Sequence, residues 1–290
     1  MFTGAMVALI TPFQDGEVDY KTLDELIHFQ IEGGIDAIVP VGTTGESPTL
    51  SPEEHKQVIQ RIVDIAGGEV PVIAGTGSNS TAEAIEYTEF ARKAGVDASL
   101  QVTPYYNKPT QEGFYQHFKA IAEEVDLPII LYNIPGRCGA GMTPETVARL
   151  ADIENIVGIK EATGSLDQAS EIANLCDITI LSGDDSLTLP LASVGAKGVI
   201  SVVANIVPAD VKAMTDLILE GDLVSARQWH NKLFKLCKNM LTLATNPIPI
   251  KAAMAMLNMA SEELRLPMTP LEESKRIILK QTLKNYGLLS

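Results

Sequence analysis

The chain has 290 residues, 46% of them hydrophobic, enough for one large domain with a smaller appendage. Its formal net charge is −15 and its pI about 4.7, so its surface repels phosphate backbones and anionic lipid, which argues against nucleic acid and membrane as partners. Three widely spaced cysteines, Cys138, Cys176 and Cys237, give neither a disulfide framework nor a metal knuckle, and no apolar run approaches the roughly 20 residues of a membrane span. The opening MFTGAMVALITPF lacks the basic flank and cleavage pattern of a signal peptide and reads as a first strand, so the expected setting is soluble, reducing and cytoplasmic.

In chain order, short β-branched runs alternate with longer segments of helical period. The strand candidates are AMVALITPF (5–13), DAIVPVG (36–42), PVIAGTG (71–77), ASLQVTPY (98–105), PIILYNIP (128–135), IVGIKEA (156–162), ITILSGD (178–184) and GVISVVAN (198–205). Helical segments fill the gaps. LDELIHFQIEGG ends in the cap Gly33-Gly34, and Ser51-Pro52-Glu53-Glu54 spells an N-cap, a proline at N1 and a capping-box glutamate. Thr143-Pro144 opens another helix, and Gly95 and Gly195 close two more. Eight such units predict an α/β fold, a (β/α)8 TIM barrel over residues 1–221, with a doubly wound sheet as the competing topology. Beyond Gly221 the strands stop. Residues 222–290 read as a three-helix appendage: around Trp229–Leu243, around Ile250–Ala260, and from Thr269-Pro270 to Tyr286, with Asn246-Pro247-Ile248-Pro249 breaking the first helix from the second.

A barrel of this kind keeps its chemistry at the C-terminal ends of its strands. Lys160 lies in one of those strands, IVGIKEA. A lysine taken out of water holds more neutral amine, the nucleophile that forms a Schiff base with a carbonyl, although lysines also snorkel to solvent. The other strand ends carry Gly42-Thr43-Thr44-Gly45-Glu46, Thr103-Pro104-Tyr105-Tyr106-Asn107, Tyr132-Asn133-Ile134-Pro135-Gly136-Arg137 and Ser182-Gly183-Asp184-Asp185. The first lacks the P-loop lysine and reads as a small anion nest or a tight hydroxyl-capped loop. The tyrosines could relay protons or fill the barrel mouth, and Arg137 offers a fork for a carboxylate or a solvated surface charge. The four histidines lack metal-ligand spacing and read as structural, so no metal site is expected; Trp229 reads as core of the appendage.

With GTTGE at 42–46, YNIPGR at 132–137 and IKEATG at 159–164 assembled, the whole chain resembles the dihydrodipicolinate (4-hydroxy-tetrahydrodipicolinate) synthase family, pyruvate-dependent class I aldolases that include N-acetylneuraminate lyase. The resemblance implies condensation of pyruvate with L-aspartate 4-semialdehyde, on the diaminopimelate route to lysine. It makes Lys160 the Schiff-base lysine, Tyr132 and Thr43 a proton relay, and Tyr106 a residue that completes a neighbour's relay across a dimer interface. Thr44 falls on the pyruvate carboxylate site, Arg137 on the semialdehyde carboxylate site, and Ile200 and Gly183 on backbone positions lining the pocket. The implied electron sink is the protein's own iminium, with no cofactor, and the implied assembly is a homotetramer built as a dimer of dimers. L-lysine, as an end-product inhibitor, would sit near Ser47, His55, Asn79, Glu83 and Tyr105. Pro52 departs from the larger side chain often found in lysine-sensitive relatives and offers little beyond packing.

Other readings are another pyruvate-dependent aldolase or 2-oxo acid lyase, a non-catalytic metabolite-binding barrel, and a phosphate-binding barrel enzyme. The PGR context of Arg137 favours a second substrate carrying a carboxylate, and the two carboxylates of Asp184-Asp185 disfavour phosphate.

Overall fold

The computed structural model describes residues 2–290. Its eight barrel strands are β1 (Gly4–Ala8), β2 (Ala37–Val39), β3 (Ile73–Gly75), β4 (Ala98–Val102), β5 (Ile129–Asn133), β6 (Ile156–Glu161), β7 (Thr179–Ser182) and β8 (Gly198–Ser201). All pair in parallel in the order β2-β1-β8-β7-β6-β5-β4-β3. A parallel bridge between Ile38 and Val72, with hydrogen bonds from Ile38 N–H to Pro71 and from Gly75 N–H to Pro40, joins the two ends. That bridge rules out the open doubly wound sheet. Every predicted strand is present, each shorter than its apolar run because the run continues into the site loops.

Eight helices alternate with the strands: α1 (Tyr20–Glu32), α2 (Pro52–Ala66), α3 (Thr81–Ala94), α4 (Gln111–Glu124), α5 (Pro144–Ala151), α6 (Leu166–Leu175), α7 (Thr188–Ala192) and α8 (Pro208–Leu219). The capping box is formed: the Ser51 hydroxyl accepts from Glu54 N–H at 3.2 Å, and the Glu54 carboxylate accepts from Ser51 N–H at 2.8 Å. Helix α7 ends at Ala192 with Ser193 as its cap, so Gly195, at φ +111°, belongs to the following turn and does not cap the helix. A hairpin of Phe13–Gln14 and Glu17–Val18 begins at the last residue of the first apolar run and was not expected; its strands are two residues each, too short for alternation to reveal.

Alternation along each strand sends side chains to two places. Met6, Ala37, Ile73, Ala98, Ile130, Leu181 and Ile200 fill the barrel interior. Val7, Ile38 and Val199 face outward into a core shared with the helices. The appendage helices α9 (Leu223–Thr242), α10 (Ile248–Met256) and α11 (Glu273–Tyr286) bring Leu233, Met240, Ile250 and Leu283 into that same cluster. Trp229 is only half-buried at its edge.

Candidate active site

Lys160 is the last inward-facing residue of β6, in register with Tyr132 on β5 and Leu181 on β7. It is 6% exposed, with its ammonium nitrogen 4.3 Å from the centre of the Tyr132 ring. Burial lowers its pKa to about 8; the carboxylates of Asp185 and Asp184 oppose the shift and Arg137 adds to it. Burial likewise pushes the Tyr132 phenol up to about 12, against the charge of Arg137 and a hydrogen-bonding contact with Thr43. The Asp185 carboxylate is buried and raised by burial. It accepts from the Ser201 hydroxyl and from Val202 N–H at 2.9 Å, which ties it to the end of β8.

The loop after β2 supplies the hydroxyls of Thr43 and Thr44. It is entered through Val41 at φ +46° and left through Glu46 at φ +54°, left-handed conformations that a β-branched residue in particular resists. Gly75 lets this turn sit against β3, since a Cβ there would come within 2.6 Å of the Val41 carbonyl oxygen. Thr44 is buried, and its hydroxyl accepts from Asn246 Nδ2 at 2.9 Å. Arg137 projects from the one-turn helix Pro135–Cys138 and donates to the Asn246 carbonyl at 3.0 Å. Ile200 packs inside the barrel. Gly183 donates to the Glu161 carbonyl at 2.8 Å, and a Cβ there would meet Ala162 at 2.5 Å.

A cavity of about 510 Å3 is lined by Thr43, Tyr132 and Arg137 of this group and walled by His55, Glu83 and Tyr105. Ser47 and Pro52 line the same wall. His55 stacks on Tyr87 at 4.5 Å and faces the Gly75 carbonyl at 3.0 Å through Nε2, so Nε2 carries the proton and Nδ1 accepts from Ser47 at 3.4 Å. Glu83 accepts from the Ser78 hydroxyl, and Asn79 donates to the Tyr105 carbonyl at 3.1 Å. Tyr106 stays apart: it is 90% exposed at φ +72°, presenting its ring to solvent.

Residues 1–286 match the model of the dihydrodipicolinate synthetase family. The chain belongs to the dihydrodipicolinate synthetase family. It is 56% identical, over the full length of both chains, to the 4-hydroxy-tetrahydrodipicolinate synthase of Geotalea uraniireducens. Its fold superimposes with a TM-score of 0.97 on the Acinetobacter baumannii dihydrodipicolinate synthase solved with pyruvate, at 46% identity with all of both chains covered. It also superimposes, with a TM-score of 0.95, on the Cyanidioschyzon merolae enzyme solved with lysine, at 42% identity and 99% coverage of each chain.

Within this family frame, sequence reasoning overlooked Asn246. It reads as part of a helix break, yet it is buried and links Thr44 to Arg137. The signal was the Asn-Pro-Ile-Pro run itself, since two prolines without N–H leave the carbonyls beside them free to accept from distant donors. Asp184 and Asp185 read only as an argument against phosphate, whereas both act on the charge of Lys160.

Proposed function

We propose that the protein is a Schiff-base-forming lyase, a 4-hydroxy-tetrahydrodipicolinate synthase. It condenses pyruvate with L-aspartate 4-semialdehyde in the diaminopimelate route of lysine biosynthesis. The observation that carries this reading is Lys160: a lysine inside the barrel, beside a buried tyrosine, with its pKa brought down to about 8. At pH 7.5 about a quarter of such a side chain is neutral amine, against roughly one in a thousand for an ordinary lysine.

The amine of Lys160 adds to the keto carbon of pyruvate, and loss of water leaves an iminium. Tyr132, held protonated by its raised pKa, gives the proton that lets the hydroxyl depart, and Thr43 passes it a replacement. The iminium draws electrons from the adjacent methyl carbon, which releases a proton and becomes an enamine. The enamine carbon attacks the aldehyde, and the resulting alkoxide takes up a proton. The amino group of the second substrate then adds to the iminium carbon and expels Lys160, closing the ring with one water lost overall. Thr44 and its neighbouring backbone hold the pyruvate carboxylate, and Arg137 the semialdehyde carboxylate. The backbone at Gly183 and Ile200 shapes the pocket floor.

In this reading residues 1–221 are the catalytic barrel and 222–290 the helical unit that buttresses it. Tyr106 completes the relay of a neighbouring subunit, so the minimal active unit is a dimer, assembled further into a tetramer and working in the cytoplasm. L-lysine inhibits from the wall formed by Ser47, His55, Asn79, Glu83 and Tyr105. Four of these residues, Ser47, His55, Glu83 and Tyr105, line one cavity, and Asn79 is tied to it through the Tyr105 carbonyl, which supports that assignment. Glu83 pairs with an ammonium, while Pro52 contributes only packing.

Borohydride reduction in the presence of pyruvate is expected to add a reduced pyruvyl mass to the peptide containing Lys160. An unmodified Lys160 peptide, or parental turnover by Lys160→Ala, would overturn the mechanism. A coupled assay comparing aspartate semialdehyde with other aldehyde acceptors separates this reaction from those of other pyruvate-dependent aldolases.

A further inference from the structure

The loop that presents Thr43 and Thr44 is bracketed by two left-handed non-glycine residues, Val41 and Glu46, and such conformations persist only where the surroundings hold them. The grip on the far end comes from the appendage. The Glu46 side chain turns away from the cavity into the interior, where its carboxylate pairs with Lys251 of α10 and also accepts from Arg265 N–H at 3.2 Å. Lys251 is completely buried. Its ammonium also donates to the Glu263 carbonyl at 2.9 Å and lies 4.1 Å from the centre of the Phe13 ring. The same helix starts just after Asn246, which holds Thr44. Thus α10 and the turn leading into it touch the loop twice, by an uncharged hydrogen bond at Thr44 and by a buried ion pair at Glu46.

A buried ion pair is a poor way to gain stability, because desolvating both charges offsets most of their attraction, and apolar residues of the same volume serve as well. What the pair supplies is direction: a buried charge tolerates one arrangement of its partner. We propose that Lys251, which lines no part of the cavity, is a positioning residue. Through Glu46 it fixes the Gly42–Glu46 backbone so that the hydroxyls of Thr43 and Thr44 meet Tyr132 and the pyruvate carboxylate. The inference rests on the reading of Lys160 as the pyruvate-binding lysine.

The test is a double-mutant cycle on the intact protein with Lys251→Met, Glu46→Gln and the two combined. It is read as the pyruvate concentration that half-saturates borohydride trapping at Lys160, at a temperature below every variant's Tm. Each single variant is expected to raise that concentration about tenfold, with a smaller loss in trapping rate at saturating pyruvate. The double variant is expected to be no worse than either single one, because the unpaired buried charge is gone. Lys251→Arg, which keeps the charge, should stay within about threefold of the parent, and if Lys251→Met does not fold, the half-saturation of Glu46→Gln decides the matter. Single variants that lower Tm but leave half-saturation unchanged would overturn the inference alone, as would losses that multiply in the double variant. Failure of the parent protein to form any pyruvate adduct would overturn the Lys160 reading and the inference with it.

Discussion

Lys160 is tuned by three charges whose effects have known signs. Burial lowers its pKa, Asp185 and Asp184 raise it, and Arg137 lowers it again. Imine formation needs the neutral amine, so its pH midpoint tracks this balance. Asp184→Asn removes an anion that stabilises the ammonium, so the midpoint of pyruvate trapping should fall below that of the parent. Arg137→Ala removes a nearby cation, so the midpoint should rise. Trapping rates measured across pH 6–9 check both, and a shift of either in the opposite sense would refute this electrostatic account. Arg137→Ala should also raise KM for the semialdehyde by roughly one to two decades, the worth of a charge-assisted hydrogen bond of about 1.5–3 kcal/mol, while KM for pyruvate changes little.

The elements that aim these residues were largely legible. Strand β6 could be located because its apolar run is bounded by turns, and helix α2 because Ser51-Pro52-Glu53-Glu54 signals its start. Both signals are local, which is why they survive without tertiary information. The capping box yields a prediction of its own. Ser51→Ala should lower the unfolding free energy by about 1 kcal/mol in denaturant titrations, with turnover unchanged, since the hydroxyl caps a helix end and touches no proposed substrate group. Less legible were the short hairpin Phe13–Val18 and the end of α7, where too few residues repeat for a period to show. The left-handed turn at Val41 was hidden for a different reason: valine disfavours it, and only contact with β3 at Gly75 makes sense of it.

At the scale of the molecule, two predictions follow from burial and exposure. His55 and His117 are both held near pKa 4 by burial, below the 6.5 of an unfolded histidine. Their folded pKa is depressed, so the unfolded state binds more protons between pH 6.5 and 4. Stability is therefore full above about 6.5 and lost as pH falls toward 4, by up to about 2–3 kcal/mol per histidine. His117→Phe should flatten this part of the stability profile, and an unchanged slope would contradict the assignment. Tyr106 faces solvent in the single chain, and the dimer reading gives it a partner site. Mixing subunits of Tyr106→Phe with subunits of Lys160→Ala should then restore up to about a quarter of parental activity, because half the random dimers are hybrids and each holds one intact site. No recovery after verified subunit exchange would show that Tyr106 does not act across an interface.

The sequence by itself determined the alternation of strand and helix, the helix starts, and the presence of a lysine, a tyrosine and two threonines at strand ends where a barrel concentrates its chemistry. These are properties of short windows, set by period, capping and turn residues. Tertiary structure alone decided that the sheet closes, through a bridge between Ile38 and Val72, and that Lys160 is buried and not snorkelling. It also decided that Glu46 and, about 200 residues further along the chain, Asn246 and Lys251 form one support behind the site. The reason is physical: closure, desolvation and ion pairing depend on which groups meet in space, and those meetings join segments whose local patterns carry no trace of one another.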